Sequence, residues 1–205
     1  MIDLHYYKTP NGHKVAIALE EMQLHYQLKP VDIFKDQQFA PAFLAISPNN
    51  KIPAIVDQEG PGGQPISVFE SGAILQYLGR KTGQFYPADE RERVAVEQWL
   101  MWQMGGFGPM LGQNHHFGHY APEKVPYAIN RYQNETRRLY KVLDTRLAEV
   151  PYVAGDYSIA DMAIFPWVLS HDWQKISLDD YPHVKAYMAV LGERPAIQRA
   201  LAIQA

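Results

Sequence analysis

Cysteine is absent from all 205 residues. That excludes disulfides, thiolate metal sites and any protein-thiol nucleophile; if this chain performs thiol chemistry, the sulfur comes from a ligand. Blocks of like charge are absent too, and the net charge is only −3 at pH 7. No electrostatic footprint for nucleic acid is therefore visible. No apolar run approaches the roughly 20 residues of a membrane span. The opening Met1-Ile2-Asp3-Leu4-His5-Tyr6 lacks the basic and apolar regions of a secretory signal. The expectation is a cytoplasmic protein with neither membrane nor nucleic acid as partner. What remains is 47% hydrophobic and 20% charged, an ordinary globular balance in a chain long enough for one large or two small cores.

The patterning changes near residue 83. Residues 2–7 read as a strand ending in the turn Lys8-Thr9-Pro10-Asn11-Gly12. Val15, Ala18, Leu19 and Met22 fall at three- and four-residue steps and predict a helix over 13–22. Residues 26–33 read as a strand, and 38–45 as a short helix ended by Ser47-Pro48. Residues 54–56 and 66–69 read as strands around a Gly/Pro loop, and 70–81 as a helix. The order β-α-β-α-β-β-α predicts an α/β sheet domain over 1–83. After a linker at 82–89, only helical patterns follow, so an all-helical domain is expected over 88–205. Ser158-Ile159-Ala160-Asp161 has the spacing of a capping box, with Asp in place of Glu or Gln, ahead of an apolar helix over 160–169.

The stretch Ser47-Pro48-Asn49-Asn50-Lys51-Ile52-Pro53-Ala54-Ile55-Val56 sets a proline between a polar turn and a short strand. Proline donates nothing to a strand ladder, so Pro53 belongs at the strand's start. The local sequence leaves trans the commoner form of the Ile52-Pro53 bond; a cis bond would turn the Ile52 N–H and C=O outward, and is expected if an extended peptide ligand pairs there. Glu70-Ser71 then opens the 70–81 helix with an acid and a hydroxyl, which suits either a helix cap or a ligand site. Thr9-Pro10-Asn11-Gly12 has two readings as well. It is a turn with a helix cap, or a set of donors, the Thr9 hydroxyl and the Asn11 amide, aimed at an anionic sulfur at a helix N-terminus. Gln38 and Arg131 read as surface residues or as ligand contacts, with Arg131 supplying charge to a carboxylate in a cleft or across a dimer interface. Tyr6 and Tyr7 are strand-packing residues or, alternatively, thiol donors. His115, His116 and His119 have no acidic neighbours, so no metal is expected. Gly105-Gly106-Phe107-Gly108 follows a helix rather than a strand, which removes a dinucleotide loop.

Asn50-Lys51-Ile52-Pro53-Ala54-Ile55-Val56 followed by Phe69-Glu70-Ser71-Gly72-Ala73-Ile74 resembles the glutathione-binding half of the glutathione transferases, and the Ser-Ile-Ala-Asp box is typical of their helical half. Thr9-Pro10-Asn11-Gly12, Gln37-Gln38-Phe39, the segment 108–117 and Pro126-Tyr127-Ala128-Ile129-Asn130-Arg131-Tyr132 look like the bacterial nu class, whose members are glutathione-dependent disulfide-bond oxidoreductases. The resemblance implies a thioredoxin-like domain followed by a helical domain forming the other wall of the cleft. It implies glutathione, reduced or oxidised, as bound co-substrate and no metal. It implies Thr9 and Asn11 as the residues acting on the sulfur. Glutathione contacts would come from Asn11, Gln38, Ile52, Glu70, Ser71 and Arg131, in a homodimer acting on a small disulfide. A conventional transferase or peroxidase acting on electrophiles or peroxides is the alternative enzyme. A non-catalytic binding or regulatory module is the alternative of another class.

Overall fold

Ile2, Leu4 and Tyr6 alternate inward along β1 (Ile2–Tyr6) and are fully buried or nearly so. Their strand is one of the two inner members of a four-stranded sheet with the order β2-β1-β3-β4. β1 runs parallel to β2 (Tyr26–Pro30) and antiparallel to β3 (Ala54–Asp57). β4 (Ile66–Phe69) pairs antiparallel with β3. Two helices cover this sheet's apolar residues: α1 (Pro10–Glu21), whose residues from Lys14 to Leu19 are all buried, and α3 (Ser71–Thr82), which buries Ile74, Leu75 and Leu78. The computed structural model describes residues 1–204 of the chain.

This βαβ-ββα arrangement is the expected thioredoxin-like unit, with three local differences. α1 begins at Pro10 rather than at residue 13, because proline fits the first helical position and Thr9 caps it. β2 ends at Pro30. A tight turn at Ile33–Lys35 follows β2, and the helix expected over 38–45 is replaced by a second tight turn at Gln37–Phe39 and a four-residue helix, α2 (Pro41–Leu44). Asp36, held at φ 57°, separates the two turns, and Pro41 restarts the chain.

Residues 1–86 form one compact unit together with the C-terminal segment from Arg194, and Pro87–Glu193 form the second. The last helix, α9 (Pro195–Leu201), therefore packs on α1. Arg194 holds it there, donating to both carboxylate oxygens of the half-buried Glu21 at 2.6 and 2.8 Å. The second unit contains α4 (Glu90–Trp102), α5 (Gly108–His115), α6 (Pro126–Leu147), α7 (Ile159–Val168) and α8 (Pro182–Gly192). π-helical turns at Gln103–Phe107 and His116–Tyr120 flank α5. Every residue of α7 is buried. Its N-terminus carries the expected box: Asp161 accepts from the Ser158 N–H at 2.9 Å, and the Ser158 hydroxyl accepts from the Ala160 N–H at 3.3 Å. The Asp161 carboxylate also accepts from the Val153 N–H and the Tyr187 hydroxyl.

Candidate functional site

The strand register places six of the seven candidate residues at one end of the sheet. Tyr6 at the end of β1 is paired with Pro30 at the end of β2; His5 is paired with Ala54 at the start of β3, and Ala54 with Phe69 at the end of β4. Thr9 and Asn11 follow β1, Gln38 follows β2, Ile52 precedes β3, and Glu70 and Ser71 follow β4. Residues 60 positions apart in sequence are brought to one rim by the pairing alone. Arg131 lies on α6 in the second unit, exposed, beside a surface hollow of about 580 Å³ that Tyr127, Tyr132, Glu135 and Arg138 also line.

Thr9 is the N-cap of α1. Its backbone is extended, and its hydroxyl oxygen accepts from the Gly12 N–H at 3.0 Å. The hydroxyl hydrogen is not used by that bond, so capping the helix and donating to a sulfur are compatible tasks for one group. Asn11 is the second residue of the helix, within the turn where the macrodipole favours an anion. Gly12 is fixed by space: a Cβ there would lie 2.3 Å from the Tyr7 carbonyl oxygen and 3.0 Å from the Tyr6 ring. Tyr6 is fully buried with its hydroxyl 3.2 Å from His13 Nδ1, and burial pushes its phenol up to about 12. The Tyr7 ring packs edge-on against Phe34 at 5.8 Å.

Two glutamines stand next to each other in the turn after β2 and differ in task. Gln37 accepts from the Asp32 N–H at 2.8 Å and holds the turn. The Gln38 side-chain oxygen is buried and has no hydrogen-bond partner among the described residues, a costly state that a ligand N–H would relieve. The Ile52-Pro53 bond is cis, as expected. The Ser47 hydroxyl, fully buried, donates to the Lys51 carbonyl at 2.8 Å and closes the turn before it. The Ile52 side chain packs inward on Val31, Phe43 and Ala54.

Glu70 adopts φ 67° and ψ 115°, a sparsely populated conformation for a residue with a Cβ. Such strain costs on the order of 1–3 kcal/mol and gathers at ligand sites. The Asn49 amide donates to the Glu70 carboxylate at 3.3 Å, and the carboxylate is otherwise exposed. Ser71, the first residue of α3, is 4% exposed. The arrangement offers an anion beside a helix N-terminus, the two poles that an α-amino acid presents.

Neither the bond from Asn49 to Glu70 nor the burial of Lys14, which is only 1% exposed, was expected from the sequence. A signal for Lys14 existed: it leads directly into Val15-Ala16-Ile17-Ala18-Leu19, a run that leaves the helix no wet face. Among the described residues no group of three or more histidines and carboxylates gathers as a metal site. The His115 ring packs between Trp167 and Trp173, at 5.7 and 6.0 Å.

Comparison with known proteins agrees with this architecture. Residues 9–81 match the family model for the glutathione S-transferase N-terminal domain, and residues 115–195 the model for the C-terminal domain. The chain belongs to the glutathione S-transferase family. Within it, the chain is 57% identical over 203 residues to the disulfide-bond oxidoreductase YfcG of Escherichia coli, covering 98% of this chain and 94% of that one. A crystal structure of a glutathione transferase from Pseudomonas putida, with one glutathione disulfide bound per subunit, superposes with a TM-score of 0.94. It is 45% identical, and the match covers 100% of this chain and 92% of that one. A family member from Pseudomonas fluorescens with two glutathiones bound also gives 0.94, at 43% identity and with 99% and 93% covered.

Proposed function

We infer that this protein is a glutathione-dependent disulfide-bond oxidoreductase that uses a bound glutathione thiolate and no sulfur of its own. The observation that carries the reading is the start of α1 in a chain without cysteine. The Thr9 hydroxyl, already fixed by its bond to the Gly12 N–H, is aimed by the cap and still has a hydrogen to give. In this reading Glu70 and Ser71 hold the γ-glutamyl end, the Ile52 peptide pairs with the cysteinyl backbone, and Gln38 meets the glycyl end. Thr9 and Asn11 then hold the sulfur.

A free thiol ionises near ~8.5 and reacts as the thiolate. Lowering that by about 2 units requires roughly 2.7 kcal/mol of preferential binding to the anion. One or two hydrogen bonds to a charged acceptor supply it, at about 1.5–3 kcal/mol each. The thiolate attacks one sulfur of a small disulfide. The old S–S bond breaks as the new one forms, and the other half leaves as a thiolate and takes a proton. A second glutathione thiolate attacks the glutathione sulfur of the mixed disulfide and releases the second thiol with glutathione disulfide. Two glutathiones lose two electrons and the substrate gains two. That two glutathiones occupy the Pseudomonas fluorescens relative supports room for the resolving molecule.

Nu-class membership, a cytoplasmic location and a homodimer, with Arg131 adding charge near the bound ligand, complete the proposal. Turnover of hydroxyethyl disulfide compared with chlorodinitrobenzene tests the activity. Disulfide reduction should dominate; conjugation at comparable efficiency with no disulfide turnover would assign a conventional transferase instead. Sedimentation at micromolar concentration should give twice the chain mass, and a monomer would contradict the assembly.

A further inference from the structure

We propose that Phe34 and Tyr7 form an aromatic shelf beside the glutathione sulfur, which makes the protein selective for disulfides carrying an arylmethyl group. This selectivity rests on the assignment of the sulfur to Thr9 and Asn11 made above.

Phe34 is 81% exposed, the highest value for a large apolar side chain among the described residues. A single exposed phenylalanine needs no explanation by itself. The turn that carries this one is built around it. The Asp32 carboxylate accepts from the Phe34 N–H at 3.0 Å and pairs with Lys35 at 3.1 Å. The Asp32 N–H donates to the Gln37 side-chain oxygen at 2.8 Å. The Asp32 carbonyl accepts from the Lys35 and Gln37 N–H groups, each at 3.2 Å. Five polar contacts thus fix the backbone that holds a phenyl ring out in water. The ring meets one neighbour, Tyr7, edge-on at 5.8 Å between centroids, and most of its surface stays uncovered.

The pair is tied to the site at both ends. The Tyr7 carbonyl accepts from the Thr9 N–H at 2.8 Å, in the turn that opens α1. The Phe34 turn runs directly into Gln38, assigned to the glycyl end of glutathione. Contact between the two rings therefore joins the segment that holds the sulfur to the segment that holds the glycine. A disulfide that reaches the sulfur brings a second half with it, and the flat apolar surface next to the start of α1 is this pair. An aromatic group there gains an edge-to-face or offset contact worth about 2- to 10-fold in affinity beyond simple burial. With benzyl 2-hydroxyethyl disulfide, the bound glutathione thiolate attacks the benzyl-bearing sulfur. The S–S bond breaks, and 2-mercaptoethanol leaves as its thiolate and takes a proton. The benzyl group stays on the shelf in the mixed disulfide. The second glutathione thiolate then attacks the glutathione sulfur, releasing glutathione disulfide and benzyl thiolate, which takes a proton.

The test is kcat/KM of the full chain, with glutathione, for benzyl 2-hydroxyethyl disulfide against ethyl 2-hydroxyethyl disulfide. Both are dialkyl disulfides, so the ring is the difference between them. The wild type should favour the benzyl compound by about threefold to tenfold. Phe34→Ala should bring that ratio to within about twofold of unity. Phe34→Leu, apolar but not flat, should lower it partway, and Phe34→Tyr should preserve it. A wild-type ratio near unity would overturn the shelf. Equal losses on both disulfides with a raised KM for glutathione would also overturn it, making Phe34 a structural residue of the Gln38 turn. A change in sedimentation on Phe34→Ala would do the same, making the ring a contact between copies of the chain. Failure of the wild type to reduce either disulfide would instead overturn the disulfide-oxidoreductase reading, and the shelf with it.

Discussion

Replacing Thr9 by valine separates two tasks assigned to one hydroxyl. The first is structural. Thr9 Oγ1 accepts from the Gly12 N–H at 3.0 Å, and loss of such an N-cap costs about 1 kcal/mol. For a chain of this size that lowers the melting temperature by about 2–4 °C. The second task is chemical. If the same hydroxyl donates to the glutathione sulfur, valine also removes one charge-assisted hydrogen bond, about 1.5–3 kcal/mol of thiolate stabilisation. That corresponds to roughly 10- to 150-fold in rate at neutral pH. The assay is kcat/KM for hydroxyethyl disulfide across pH, beside thermal unfolding. The rate deficit should be largest below neutrality and shrink as the pH approaches the ~8.5 of a free thiol, where glutathione ionises unaided. Thr9→Ser keeps both bonds and should match the wild type. Asn11→Ala should reproduce the rate deficit without loss of the cap, and Tyr7→Phe should change little because its ring packs on Phe34. If Thr9→Val lowers the melting temperature but leaves the pH–rate profile untouched, the hydroxyl is a cap alone and the donor assignment is wrong.

Other substitutions follow from the same geometry. Gly12→Ala drives a methyl group to 2.3 Å from the Tyr7 carbonyl; it should cost about 1–3 kcal/mol and disable turnover, and a stable, active variant would contradict the placement of α1. Gln38→Ala removes a buried oxygen that has no partner among the described residues, so calorimetry should find glutathione weakened by about 0.5–1.5 kcal/mol with no loss of thermal stability. Asp161→Asn presents an amide to four donors, at Val153, Ser158 (two) and Tyr187, and should lower stability by about 1–3 kcal/mol. Burial raises the Asp161 carboxyl from 3.8 to about 6. Its proton-linked contribution is therefore complete below about 4 and lost as the pH rises through about 6. Denaturant midpoints measured against pH should lose that slope in the variant.

Features that lie in a few adjacent residues were legible in the sequence. Ile52-Pro53 before an apolar strand, Glu70-Ser71 before an apolar helix, and Ser158 three residues ahead of Asp161 each combine a local backbone demand with a side chain that meets it. The π-helical turns around α5 were not legible, because Gly105-Gly106-Phe107-Gly108-Pro109 has no 3.6-residue stripe to betray a helix. The fate of α9 was hidden for another reason. Its packing on α1 depends on Arg194 finding Glu21 more than 170 residues away, and nothing near Arg194 marks that partner. Lys14 was passed over because a lysine in a helix pattern is normally counted as its polar face, and only the packing of α1 against two other helices shows that it has none. The seven candidate residues were named from motifs; the register that brings six of them to one rim is a property of the sheet.

In a protein with no thiol of its own, the start of α1 is the proposed holder of the glutathione sulfur. A crystal structure of the protein with bound glutathione tests it most directly. The sulfur should lie within hydrogen-bonding distance of Thr9 Oγ1 and Asn11, with Ile52 paired to the cysteinyl backbone and Glu70 and Ser71 on the γ-glutamyl end. A sulfur held by the Tyr7 hydroxyl, with Thr9 and Asn11 turned away, would contradict it.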